Sequence, residues 1–397
     1  GALALYAAYL TLTALWAVEP AVAIREGVQF FSLVFIFVVV ENVFSTMESF
    51  KRAVVAFCVG AAILVLGSLA SHLTVPLLPT LRISPGGGTI YFQHEYFHVV
   101  TVAMIAGSLS MICTALLLGE RYTGERRLAL TLLLVTSVAL QGLLFKRIEL
   151  LALGAGGTVL LFYYGWRRLL SYWAMGGLVA VLSLVLAPTV LDKFQAMGDM
   201  EEGSAKWHLV IWPRVGYEIW KENPLLGKGG GAFETQAGKV VNRLHLVGWH
   251  LSEEQRYQAH NIIVKMAADS GLVGVAIFAW FLYEVFRFAW RGCGRARGPA
   301  TTGEHLCRAL LAASVLELIV SLGQNPHQWG VFWLVFAMAH RVGTLNLERK
   351  RDDLRSAYFP GPPGGPRPPA PALHPAHALP PAAWSRRSAR LDLLRQR

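Results

Sequence analysis

His260 stands where a polar stretch runs into an apolar helix, in A-H-N-I-I-V-K-M-A-A-D-S-G-L-V-G from Ala259 to Gly274. An unperturbed imidazole titrates near about pH 6.5, so a histidine held at such a rim is suited to take a proton from a hydroxyl. At about 100° per residue, His260, Ala267, Gly271 and Gly274 fall on one helical face. Small residues on that face let a neighbouring helix approach and fix the imidazole. A helix cap with glycines used for packing is the plainer alternative.

A second constellation is H-E-Y-F-H, His94 to His98. On a helix it sets two imidazoles one turn apart with Glu95 beside them, the pattern of a zinc protease. Zinc would need a third protein ligand, and spacing identifies none of His208, His245 and His250 as that ligand. Polar lining of an external cleft is the default expectation.

Cations form the third group. Q-G-L-L-F-K-R-I-E, Gln141 to Glu149, puts Lys146 and Arg147 in a tight turn between two apolar segments. Charges at that depth mark anion sites or snorkel to lipid phosphate. G-K-G-G-G, Gly227 to Gly231, could offer backbone N–H groups to an anion with Lys228 adding charge; a flexible turn is the alternative, and the Walker pattern is missing. L-W-A-V-E-P-A-V-A-I-R-E, Leu15 to Glu26, reads as a short external turn with Trp16 at the interface and Arg25 facing the compartment of His260. Lys265 and Asp269 are i, i+4 neighbours expected to pair structurally, away from the glycine face.

The elements that must position these residues are membrane helices. Mean hydropathy is +0.44 with 15% charged residues, too apolar for a soluble chain of 397 residues. Ten segments qualify as spans: 2–18, 27–44, 53–75, 96–118, 128–145, 148–165, 173–190, 258–286, 307–323 and 328–342. One set of short loops carries twelve Lys and Arg and the alternate set four, so the richer set is cytoplasmic. The net charge of +11 then belongs to topology and lipid contact, without nucleic acid. The expected organisation is an all-α polytopic protein: bundle residues 1–190, a periplasmic loop 191–258, bundle residues 259–342, and a disordered cytoplasmic tail 343–397. In the loop, His208, Ile211, Trp212, Val215 and Ile219 recur at helical spacing. Pro213 must start or kink that helix. Trp207, Trp212 and Trp220 suit a helix on the membrane surface, and Asn223-Pro224 stops it. The four cysteines cannot staple this loop and have no zinc-site spacing.

P-L-L-G-K-G-G-G-A-F, followed by H-N, nine residues and G-L-V-G, resembles the signature of the O-antigen ligase and O-antigen polymerase superfamily. The L-W-A-V-E-P turn is similar to that family's first external turn. The resemblance spans Leu15 to His340 and does not separate ligases from polymerases. The family's dozen or so spans imply about two more ahead of Gly1. The resemblance implies transfer of a glycan from undecaprenyl diphosphate to an acceptor, lipid A-core in a ligase, at the periplasmic face of a bacterial inner membrane. It makes His260 essential and external arginines diphosphate ligands. Arg147 matches one by its place between two spans. The other family arginine falls where this chain has His208, and Arg214, one turn away, is the candidate replacement.

Attack of a hydroxyl on an anomeric carbon needs a base, and the leaving diphosphate needs fixed cations. The expected site is therefore His260 as base, Arg147, Arg214, Lys228, Lys146, His208, Asn261 and Arg25 around the diphosphate, and Gly271 and Gly274 for packing. No cofactor is expected, and the displacement inverts. A polymerase or protein O-oligosaccharyltransferase of the same superfamily is the near alternative. A lipid-linked glycan flippase and a zinc intramembrane protease using His94, Glu95 and His98 are the distant ones. A flippase should carry charges along a central cavity, whereas here they gather at one external face.

Overall fold

A computed structural model of the protein describes residues 1–73, 81–83, 90–92, 99–120, 122–144, 147–168, 170, 174, 178, 206–247, 250–294, 300–323 and 330–358. Gly1–Arg349 form one compact unit; of the second, Lys350–Arg397, the described part is helical to Tyr358. The helices are α1 (Ala2–Leu12), α2 (Pro20–Val43), α3 (Met47–Leu73), α4 (Val99–Gly119), α5 (Gly124–Leu144), α6 (Arg147–Tyr164), α7 (Trp212–Trp220), α8 (Ala232–Arg243), α9 (Ile262–Gly292), α10 (Thr302–Ser321) and α11 (Gly330–Tyr358). Four carry stretches long and apolar enough to cross a membrane: Pro20–Val43, Met47–Ser68, Val100–Gly119 and Ile262–Gly292. Ala2–Leu15 and Ile148–Tyr164 are shorter apolar helices. The chain is a polytopic α-helical membrane protein. Nine of the ten expected segments fall on helices, and 173–190 lies almost wholly outside the described residues.

The helical bundle has one departure. Among the described residues, Leu81–Ile83 (β1) and Ile90–Phe92 (β2) pair antiparallel with Leu81 opposite Phe92. Their content of Ile, Leu, Tyr and Phe suits a ladder. H-E-Y-F-H lies outside the described residues.

Helix α2 shows how sequence sets packing. Ile24, Val28, Phe31, Phe35 and Val38 recur at intervals of three and four and stay exposed, as a lipid-facing stripe must. Its opposite side buries Phe30 against Tyr6 and Trp333, with ring centroids 5.1 and 5.7 Å apart. Trp333 continues to Phe278 and Phe281, so an aromatic stack joins α1, α2, α9 and α11. The last carbonyls after α2 are satisfied by Arg341, which donates to Phe44 O (2.8 Å) and Ser45 O (3.2 Å).

Residues 343–358, expected to belong to a disordered tail, are helical. Helix α11 continues to Tyr358, and Asn346 is buried where it donates to Gly292 O and Gly303 O. A polar sequence reads as tail, yet a single amide that caps two neighbouring backbones keeps it folded.

Residues 206–259 form a small module with its own core of Ile211, Trp212, Val215, Ile219, Phe233, Ala237, Val240 and Val241. Trp212 was expected at the membrane surface, but it is buried against Phe233 and Tyr257. Pro213 has no N–H to donate, and the turn before it, Trp207–Ile211, is a π-helix. Trp212 lies on the buried side with Ile211, Val215 and Ile219, the residues that share its helical spacing in the sequence.

Candidate active site

Helix α9 is broken. Gly271 has φ 61° and ψ −166°, a conformation reserved for glycine, and it divides the helix into a short first part and a long second part. Such a break strands carbonyls on one side and N–H groups on the other. The segment from Pro224 to Gly229 satisfies both. Lys228 N donates to Ala268 O and Gly229 N to Asp269 O, each at 2.9 Å. Leu272 N donates to Pro224 O (2.9 Å) and Val273 N to Leu225 O (3.1 Å). Tyr9 Oη donates to Ser270 O (3.1 Å).

Two expectations are corrected by this geometry. The glycine loop is not laid out as an anion cradle, because four of its five N–H groups are engaged: Gly227 to Asn223 O (2.8 Å), Lys228 and Gly229 to α9, and Gly230 to Thr13 Oγ1 (2.9 Å). Nor do His260, Ala267, Gly271 and Gly274 share one helical face, since His260 precedes the N-cap and the break lies between Ala267 and Gly274. Gly271 serves the loop; Gly274 leaves room for the Ser270 side chain and the Tyr6 ring.

The L-W-A-V-E-P turn closes on this knot. Val18 N donates to Lys228 O (3.3 Å), and a methyl group on Gly229 would stand 2.3 Å from Ala17 Cβ. Glu19 pairs with Arg256 at 3.8 Å, just ahead of His260. Three stretches far apart in sequence thus meet at one place.

His260 sits half-buried at φ 49°. Asn261 caps α9, its Oδ1 accepting from Ile263 N (3.0 Å) and Val264 N (3.1 Å), while its Nδ2 donates to Leu322 O (2.9 Å) just past the end of α10. Asn261 is thus a structural anchor beside the histidine. The His208 ring, from the π turn, stands edge-on to His260 with centroids 4.8 Å apart. Packing of α7 on α9 is close: a methyl on Gly216 would meet Val264.

The other sequence-selected cations divide. Arg147 begins α6, and its neighbour Ile148 packs where a methyl on Gly323 would stand 2.9 Å from Ile148 Cγ1, next to the carbonyl of Leu322 that holds Asn261. The start of α6, the end of α10 and the first turn of α9 therefore lie at one end of the bundle. Lys146 and the Arg147 side chain lie outside the described residues. Arg214 is exposed and pairs with Glu218 at 3.3 Å, where Lys221 also binds at 2.5 Å. The Lys221 hydrogen bond, aided by the charges of Lys221 and Arg214, holds the Glu218 carboxyl below the usual range. Lys228 pairs with Glu222, which Arg243 also approaches at 4.0 Å. Arg25 is exposed on α2.

Lys265 pairs with Asp269 as its i, i+4 spacing leads one to expect, but sequence reading missed its two other partners. Its ammonium contacts Asp269 (2.8 Å), Glu234 of α8 (3.3 Å) and Glu26 of α2 (3.7 Å). The available signal was weak: Glu26 lies in a largely apolar stretch, whereas Glu234 is followed by Thr235 and Gln236 and gives no sign of burial. Among the described residues, no three His, Cys, Asp or Glu gather in a way that could hold a metal.

Residues 129–279 match the family model described as O-antigen ligase. Over that stretch, 151 of its 397 residues, the chain is similar to the O-antigen ligase family. No curated protein matches it. That likeness implies a glycan-transferring enzyme that acts on lipid-linked glycans in general. The matched stretch runs from α5 into the second part of α9, so it includes Arg147, the module, His260 and the Gly271 break.

Proposed function

We propose that this O-antigen ligase-type enzyme moves a glycan from undecaprenyl diphosphate to a hydroxyl of lipid A-core, at the periplasmic face of the inner membrane. The observation that carries the reading is the placement of His260: held at the mouth of α9 by Asn261 and Leu322, edge-on to His208, at the bundle end where α6 begins with Arg147.

His260 takes the proton from the acceptor hydroxyl as its oxygen forms the new bond to the anomeric carbon. The bond to the diphosphate breaks on the opposite face, so configuration inverts. Cations stabilise the charge developing on the leaving diphosphate. Arg147 is the first choice for this role, with Lys146, His208, Arg214, Lys228 and Arg25 as further contributors. Arg214 and Lys228 would have to exchange Glu218 and Glu222 for phosphate. With fixed positive charge in place, the reaction has no need of a divalent ion.

The test is reconstitution with undecaprenyl-diphosphate oligosaccharide and lipid A-core, followed by anomeric analysis of the product. A single glycan joined to lipid A-core with inverted configuration supports the reading. Elongated donor lipid would assign the protein to the polymerases, and retention would exclude direct displacement.

A further inference from the structure

Four ionisable side chains lie buried together beneath the candidate base: Lys265 at 4% exposure, Glu26 at 1%, Asp269 at 2% and Glu234 at 6%. Three carboxylates around one ammonium are costly to enclose, and packing alone would be better served by apolar groups. The cluster joins three elements. Glu26 comes from α2, Glu234 from α8, and Lys265 with Asp269 from the first part of α9. Asp269 Oδ1 also accepts from Phe233 N at 2.8 Å, tying the start of α8 to the same point.

Its position relative to His260 gives it a use. Lys265 lies one helical turn below Asn261, and its backbone N–H donates to Asn261 O at 3.0 Å. The first part of α9 ends at the Gly271 break, so it is too short to be aimed by the long second part. Its direction must be set from the side. The contacts doing so are Asn261 to Leu322, α7 through Gly216 and Val264, and the Lys265 cluster.

We propose that Lys265 is a positioning residue: by gathering Glu26, Glu234 and Asp269 it fixes the first turn of α9 against α2 and α8, and so sets where His260 meets the acceptor hydroxyl. Lys265 touches no substrate. The proposal rests on the reading of His260 as the base.

The experiment compares the full chain with two variants and a control, using undecaprenyl-diphosphate oligosaccharide as donor and lipid A-core as acceptor. The first variant removes all four charges, with apolar groups of similar size except where Phe233 N needs its acceptor: Lys265→Met, Glu26→Met, Glu234→Met and Asp269→Asn. A buried ionic cluster replaced by neutral groups of like size keeps stability, so its thermal midpoint stays within about 5 °C of the original. A base displaced by about 1 Å costs about 100-fold in rate. The expected result is therefore kcat lower by about 100-fold, donor KM within about twofold, and an unmoved acid limb of the pH–rate profile. The second variant, Lys265→Arg, keeps the charges but widens the cluster; it should fold and lose at least about threefold in kcat at unchanged KM.

Full kcat in either folded variant would reduce the cluster to glue and overturn the proposal. A rise in KM at constant kcat would overturn it by placing Lys265 on substrate. A shifted acid limb would overturn it by showing that the cluster acts through charge. His260→Asn is the control. If it retains transfer, the proposed function itself fails; if it is inactive while the fourfold variant keeps full kcat, only this inference fails.

Discussion

Replacing Gly271 by alanine should uncouple the glycine loop from α9. A methyl there would stand 2.3 Å from Leu225 O and 2.5 Å from both Leu225 C and Gly227 N, all backbone atoms that cannot swing aside. Alanine also resists φ 61°, ψ −166°, a strain of about 1–3 kcal/mol. Relief requires the loop to withdraw, which breaks four hydrogen bonds: Lys228 N and Gly229 N to α9, and Leu272 N and Val273 N to the loop. At about 1 kcal/mol each, that is about 4 kcal/mol more. The total approaches the whole stability of a small domain, about 5–15 kcal/mol, so the knot should open locally even if the bundle remains. Amide hydrogen exchange of Gly271→Ala protein in detergent should show lost protection at residues 228, 229, 272 and 273, and glycan transfer should fall about 100-fold. Retained protection and wild-type turnover would refute the assignment of Gly271 as the point that joins loop to helix.

Other expectations are shorter. Asn261→Ala removes a helix cap and the bond to Leu322 O, so it should lower the thermal midpoint and kcat together, at a cost of about 1–2 kcal/mol in stability. Because the folded Glu218 carboxyl lies below its ordinary range, its stabilisation is present above about pH 4.5 and lost as pH falls through the folded value. Melting curves of the unchanged protein should therefore decline on acidification below about pH 4.5 more steeply than those of Glu218→Gln. Transfer should persist in excess EDTA; loss of stoichiometric zinc together with activity would favour the reading that places zinc at His94 and His98.

Local signals in the sequence marked segments that meet at the candidate site, but not the contacts those segments make. Hydropathy located the long helices, because lipid demands continuous apolar surface. The H-N-x9-G-x-x-G pattern marked α9, yet helical periodicity alone could not reveal that its first glycine breaks the helix, since the loop that satisfies the broken ends lies some forty residues earlier. The G-K-G-G-G stretch has the composition of an anion cradle, and only tertiary packing shows three of its N–H groups engaged by α9 and Thr13. Lys265 and Asp269 were legible as an i, i+4 pair; Glu26 and Glu234 join them from other elements, beyond the reach of spacing arguments. Trp212, expected at the membrane surface, instead joins the module core with Ile211, Val215 and Ile219, the residues that share its helical spacing, while His208 meets His260.

The most direct test of the account is transfer by His260→Asn. Asparagine tolerates the left-handed backbone that His260 adopts at φ 49°, so the substitution removes the imidazole with the least disturbance of the turn. The account predicts normal membrane insertion, a thermal midpoint close to that of the unchanged protein, and a kcat lower by about 100- to 10,000-fold with donor KM little altered. A His260→Asn protein that transfers glycan at the unchanged rate would contradict it.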